Sequence, residues 1–275
     1  MPPIEMPSGK NETTENFPVT KLIDKTHRPH VAAYYSFARA ADDISDSETL
    51  SPEEKILRLD QFDAALMNES DNSIESVIPL RNSLKETGVS SDHARELLVA
   101  FKRDVTKLRY KNWEELLDYC RYSAAPVGRY LLDLHGEDHA SWPANDALCS
   151  VLQITNHIQD CATDLCELNR LYIPLDMLAA RGATIDDVKA KTSSPSLRSV
   201  FNDMIDKMGP MMDLAHTFPP QVKNRMLRID TAVINNVADE LLRELTKRDP
   251  LAEPVKLSKG QKLMALIDGV LRGFF

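Results

Sequence analysis

The chain has 275 residues, 43% of them hydrophobic, with only nine glycines and charges spread along its length, which is the composition of a helix-rich globular protein with a large interior. A net charge of −9 argues against binding a nucleic-acid backbone, which needs clustered Lys and Arg for counterion release, but not against a diphosphate ligand, because a divalent metal reverses the local sign. No window approaches the ~18 consecutive apolar residues of a membrane-spanning helix, and the start, MPPIEMPSGKNETTENF, lacks the basic-then-apolar order of a signal peptide.

Residues 1–15 are polar, Pro-bearing and aperiodic and read as a disordered tail, with order expected from residue 16. Pro29 suits a helix start, and Val31, Tyr34, Phe37, Ala38 and Ala41 recur at 3–4 spacing through to Asp46. Ser51, Pro52, Glu53 and Glu54 form a second start signal: a cap, a proline at the first position and acids in the first turn, opening a helix to about residue 68. Helices are expected over 74–87, ended by Gly88, and over 91–108. Asn112 followed by Glu115 starts a long helix to Gly136, kinked at Pro126. A central helix is expected over 146–168, then a short piece at 174–181. Ser194-Pro195 starts another helix, broken at Gly209-Pro210, and helices over 221–247 and 257–271 complete the set.

No stretch shows the period-2 alternation of strands, and the connections are short, so the fold class is all-α: one helical bundle with a central apolar cavity. The final segment, KLMALIDGVLRGFF, reads as a docked terminal helix, with a membrane-surface anchor as the alternative. Cys120, Cys149, Cys161 and Cys166 fall within expected helices at no zinc or redox spacing, so buried free thiols and a reducing cytoplasm are expected.

Two helical faces carry chemistry. In QITNHIQDCATDLCELNRLY, residues 153–172, the side chains of Gln153, Asn156, Asp160 and Asp164 fall within roughly an 80° arc at ~100° per residue. In YSFARAADDISD, Tyr35, Arg39, Asp42 and Asp46 lie within roughly 60° of one another. Each face places two aspartates at i,i+4, where they repel, and an Asp-x-x-x-Asp taken singly is common on solvated helices. Two copies, each flanked by large apolar residues and each sharing its face with further polar side chains, point to bound cations. Oxygen-only ligands favour Mg²⁺, Mn²⁺ or Ca²⁺ over zinc. Two such helices facing each other can hold metal ions that take oxygens from a diphosphate, with Arg39 and Arg170 supplying fixed positive charge or else pairing with the same aspartates.

Through ARAADDISD, and QITNHIQDCATD followed by NRLYIP, the chain resembles the squalene/phytoene synthase family over about residues 16–271. The resemblance implies an isoprenoid-synthase domain over 16–275, Mg²⁺ as cofactor and a polyprenyl diphosphate as substrate. It implies Asp42, Asp46, Asp160 and Asp164 as catalytic metal ligands with Asn156 beside them. Phe17, Tyr35, Arg39, Gln153, Asn156, Arg170 and Tyr172 are implied as substrate contacts. Within the family, ENFPV, RPHVAAYYSFARAADDISD, YCRYSAAPVGRYLLDLHGE and NHIQDC most resemble the hopanoid-pathway branch that converts presqualene diphosphate to hydroxysqualene and diphosphate. Gln159 stands where condensing members carry an arginine before the aspartate, and Arg121-Tyr122 and Pro126 also depart from their pattern. These changes count against condensation of two allylic diphosphates, which is the alternative reading. A nicotinamide-dependent member is a further one, with no Gly-rich dinucleotide loop found. A non-catalytic helical assembly factor would show degraded aspartate pairs, and both are intact. Tyr35, Tyr122, Tyr172 and His157 are candidates for holding a quenching water, His157 being read first as a packed histidine. A monomer or homodimer is expected, cytoplasmic or peripheral at the inner face of the membrane, coupled to a presqualene diphosphate synthase.

Overall fold

The computed structural model describes residues 4–5 and 23–274, with side chains to residue 270. Of the amino-terminal tail only Ile4 and Glu5 are described: the Ile4 carbonyl accepts from Arg58 and the Glu5 carboxylate from the Ser76 N–H. The rest of the tail, and Phe17, lie outside the described residues.

The first four helices are α1 (Arg28–Asp46), α2 (Pro52–Met67), α3 (Val77–Thr87) and α4 (Asp92–Thr106). Local chemistry sets the start of α2: the Ser51 hydroxyl accepts from the Glu54 N–H, with Pro52 at the first position. The long helix expected over 112–136 is two, α5 (Trp113–Ser123), capped by Asn112 accepting from the Glu115 N–H, and α6 (Ala125–Leu134). The chain breaks at Ala124 (φ −124°, ψ −48°), which leaves Pro126 in the first turn of α6, where its missing N–H would have had no helical partner.

The central helix is likewise divided into α7 (Trp142–Gln159) and α8 (Cys161–Glu167) by a ψ of 6° at Asp160. After α9 (Leu175–Ala180), α10 (Pro195–Ala215) runs unbroken through Gly209 and Pro210. Both of those residues face solvent, so the carbonyl that loses its partner can be hydrated. α11 (Arg225–Lys247) begins at an Asn224 cap rather than at 221, and α12 (Lys259–Phe274) docks along it. A Cβ on Gly269 would lie 2.5 Å from the Val233 Cα, so glycine lets the two helices approach closely. Leu263, Met264, Leu266 and Ile267 remain exposed on α12.

Among the described residues there is no strand, only one isolated bridge between Arg109 and Leu171. α1–α4 close over one core containing Phe37, Ile44, Leu59 and Phe62, while α5, α7, α10 and α11 close over a larger one containing Leu116, Val151, Phe201 and Met204. α4 serves both, giving Leu97 and Leu98 to the first and Ala100 to the second; α6 does the same with Tyr130 and Leu132. Between α6, α7 and α11 lies an apolar cavity of about 140 Å³ walled by Val127, Leu131, Leu148, Leu152, Phe218 and Ile234.

All four cysteines are free; Cys120 and Cys161 are buried and Cys149 half-buried, but Cys166, near the end of α8, is exposed. No helix among the described residues is long and apolar enough to cross a membrane.

Candidate active site

The last turns of α1 carry the first aspartate pair. Arg39 is paired there: Nη1 lies 3.0 Å from the Asp42 carboxylate, and Nε and Nη2 donate to Asp43 Oδ1 at 2.9 and 2.5 Å. Tyr35 stands one turn before Arg39, half-buried. Asp46 accepts from Arg170 Nη1 at 2.5 Å, so the guanidinium that follows the second motif closes on the carboxylate of the first.

On α7, Gln153 and Asn156 are half-buried, with Gln153 Nε2 3.3 Å from His157 Nε2. Asp160 sits exposed at the break between α7 and α8, and Asp164 is half-buried one turn on. Asn169 then takes a left-handed conformation (φ 53°), which asparagine tolerates and β-branched residues do not. Arg109 holds this reversal through the Asn169 carbonyl and side-chain Oδ1. The turn sends the Arg170 N–H to the Asp164 carbonyl at 2.9 Å and its side chain inward. There Nη2 donates to the Ser45 carbonyl at 2.7 Å and Nε to the Asp104 carbonyl at 2.9 Å.

Under this junction lies Asp104, buried on α4. Its two carboxylate oxygens accept from Tyr172 Oη (2.7 Å) and Tyr119 Oη (2.8 Å). Tyr172 is therefore turned to a carboxylate, with its ring stacked on His157 at 3.6 Å between centroids. His157 is a packed, neutral residue: burial first, and Arg170 second, hold its pKa down to about 3.

Negative charge at this junction outruns its compensation. Asp42 keeps 30% side-chain exposure yet is enclosed densely enough that desolvation, then repulsion from Asp46, raises its pKa to about 8 against the pull of Arg39. Asp164 is raised to about 7 by burial, then by Asp160, with Arg170 opposing and Asp46 adding to the rise. Burial lifts Asp104 to about 6 although Arg170 and the two tyrosines favour its ionised form. The two motifs, far apart in sequence, thus share one electrostatic field. Carboxyls raised by burial and, at Asp42 and Asp164, by their neighbouring aspartates, with both guanidiniums already engaged, fit a hard divalent cation held by oxygen donors. Among the described residues no three Asp, Glu, His or Cys side chains converge tightly enough to bind an ion as they stand.

The sequence model of squalene/phytoene synthases matches residues 10–261. The chain belongs to the squalene/phytoene synthase family. It is similar to a hydroxysqualene synthase of Sinorhizobium fredii, with 45% identity over 91% of this chain and 86% of that one, and to one of Rhodopseudomonas palustris, with 43% identity over 92% and 87%. Among solved structures, the squalene synthase HpnC of Alicyclobacillus acidocaldarius superposes with a TM-score of 0.75 at 28% identity, covering 83% of this chain and 86% of that one. The chain's chemistry is of the squalene/phytoene synthase type, and the all-α isoprenoid-synthase bundle expected from the sequence is the fold found.

Within that frame, the structure brings together Arg39, Asp42, Asp46, Asp164, Arg170 and Tyr172. Asp43, Asp104 and Tyr119 join them without having been singled out in the sequence. Arg39 and Asp43 are i,i+4 neighbours, a signal that was available; Asp104 is one acid on an amphipathic helix and gave none. Gln159 does not face the carboxylates. Its Nε2 donates to the Val255 carbonyl at 2.5 Å, tying the end of α7 to the segment before α12, so its difference from an arginine is not simply a charge removed from the metal side. Tyr122 lies beneath the Arg103 guanidinium, 4.4 Å from ring centroid to Cζ.

Proposed function

We propose that the chain ionises presqualene diphosphate and captures the resulting cation with water, giving hydroxysqualene and diphosphate. The observation that carries the chemistry is the shared field of the two aspartate pairs beside an apolar cavity: one end suits a metal-bound diphosphate, the other a prenyl chain. The choice of branch rests on the similarity to hydroxysqualene synthases.

Asp42, Asp46, Asp160 and Asp164 would hold Mg²⁺, with Asn156 as a neutral donor. When bound, Mg²⁺ would neutralise charge developing on the departing diphosphate. Arg39 and Arg170 each have several donors, so each can give a phosphate oxygen one N–H while keeping a carboxylate on another. Tyr172 and Tyr119 hold Asp104, and Asp104 holds Arg170 in place through its backbone carbonyl. Tyr35, Gln153 and Phe17 contact the substrate. The cavity side chains keep bulk water from the cation, leaving ring faces such as Phe218 available to it. Substrate and product this apolar pass between the protein and a membrane or the synthase that makes presqualene diphosphate.

Incubation of the purified protein with presqualene diphosphate and Mg²⁺, without a reductant, tests the reading. Hydroxysqualene should form. No turnover there, together with condensation of two farnesyl diphosphates, would overturn it.

A further inference from the structure

One carboxyl interrupts the apolar wall of the cavity. Asp230, on α11, lines it and is only 6% exposed. It makes no hydrogen bond or ion pair with another described residue. The other polar groups of the lining are occupied elsewhere: the Thr231 hydroxyl donates to the Arg228 carbonyl at 2.8 Å, the Asn145 amide to Asp146 at 3.1 Å, and the Cys149 thiol to Asn145. A carboxyl shut away without a partner is unfavourable by several kcal/mol on an order-of-magnitude scale, and a helix packed only for stability would carry leucine there. The cavity lies on the face of α7 that carries the polar stripe, one turn before it: its lining residues Cys149 and Leu152 stand four positions before Gln153 and Asn156. Burial alone raises the Asp230 carboxyl to about 7, so near neutral pH it both gives up and takes a proton.

We propose that Asp230 holds the water that ends the reaction and accepts its proton. The inference rests on the reading of the reaction given above. When diphosphate has left, a lone pair of the water oxygen forms the C–O bond to the allylic cation. The O–H bond directed at Asp230 breaks, its electrons stay on oxygen, and the proton passes to the carboxylate, which returns it to solvent as the alcohol leaves. No oxidant or reductant is consumed. None of the four side chains the sequence offered for this task, Tyr35, Tyr122, Tyr172 and His157, lines this cavity; Tyr172 is committed to Asp104 and Tyr122 lies under Arg103.

The test compares the full-length protein with Asp230→Asn, which keeps the volume, and with Asp230→Glu. Each is given presqualene diphosphate and Mg²⁺, and both C30 products and diphosphate are measured. In Asp230→Asn the hydroxysqualene formed per diphosphate released should fall by about tenfold or more. Hydrocarbons formed by proton loss should take its place, and Asp230→Glu should recover part of the alcohol. A ratio equal to the parent's in Asp230→Asn overturns the proposal, as does a fall in diphosphate release with the ratio unchanged, which would place Asp230 in binding or ionisation. If Asp230→Asn does not fold, Asp230→Ser takes its place, and a ratio equal to the parent's there is the overturning result. A parent protein that releases diphosphate and forms no hydroxysqualene instead strikes the reaction assignment itself.

Discussion

Arg170 reaches across 124 residues of sequence to donate from Nη1 to Asp46 Oδ1 at 2.5 Å, and this ion pair ties the two aspartate motifs to each other. Two further donors go to the carbonyls of Ser45 and Asp104, so one buried guanidinium fixes α1, α4 and the turn after α8 at a common point. An ammonium carries its donors on a single nitrogen and lacks the planar fork that meets three acceptors at once.

Arg170→Met should therefore destabilise the fold by about 3 kcal/mol, because it leaves a carboxylate and two carbonyls unmatched, and Arg170→Lys should recover less than half of that. Urea unfolding of the three proteins measures it. A loss below about 1 kcal/mol in Arg170→Met would show that the contacts are interchangeable with water.

Asp42→Asn combined with Asp160→Asn should lower diphosphate release from presqualene diphosphate by about 10³-fold or more, since charge stabilisation of the leaving group is the main task assigned to this site. Thermal unfolding of the metal-free double variant should be equal to the parent's or slightly higher, because repulsion from Asp46 and Asp164 is relieved while Arg39 keeps Asp43. Retained activity would remove these residues from the metal site.

The helix starts at Ser51, Asn112 and Ser194 were legible because a cap is decided by residues three positions apart, as were both aspartate pairs, whose spacing is itself a helical signal. The interruption beside Pro126 was legible as a kink, though not as a full break at Ala124; the break at Asp160 was not legible, because no proline or glycine stands there. Asp104 and Asp230 read as ordinary polar positions of amphipathic helices. What distinguishes them is long-range: Asp104 meets Tyr172, 68 residues away, and Asp230 is closed in by α6 and α7. Gln159 was visible in the sequence as a departure from the condensing members, but that its side chain turns to the Val255 carbonyl was not.

Gly128 on α6 leaves room for Asn145 on α7: a Cβ there would lie 1.9 Å from the Asn145 Oδ1. Gly128→Ala should lower stability by about 1–3 kcal/mol through this overlap. Asn145→Ala in the same chain should recover part of the loss, giving a coupling of about 1 kcal/mol in a double-mutant cycle. Strict additivity of the two changes would mean that the helices separate instead of the side chains competing.

Stability of the metal-free protein should fall as pH rises from 6.5 to 8. Asp42, Asp164 and Asp230, raised to about 8, 7 and 7, retain protons in the folded chain over a range where unfolded carboxyls, titrating near ~4, have lost theirs. Their stabilisation is complete at low pH and drains away as pH climbs through the folded values. His157 works in the opposite direction, because its folded value near 3 lies below the unfolded ~6.5; its contribution is lost only as pH falls below 6.5 and leaves the upper window to the carboxyls. With Asp42 discounted for its partial exposure, roughly 1–2 kcal/mol should disappear across that window, a drop of a few degrees in Tm. Mg²⁺ should reverse the trend at pH 8, where the carboxylates are free of protons and available as ligands, and EDTA should restore it. Thermal unfolding scans at pH 6.5, 7.25 and 8, with and without Mg²⁺, decide the matter: a Tm that stays level or rises without metal contradicts the shared-field account of the site.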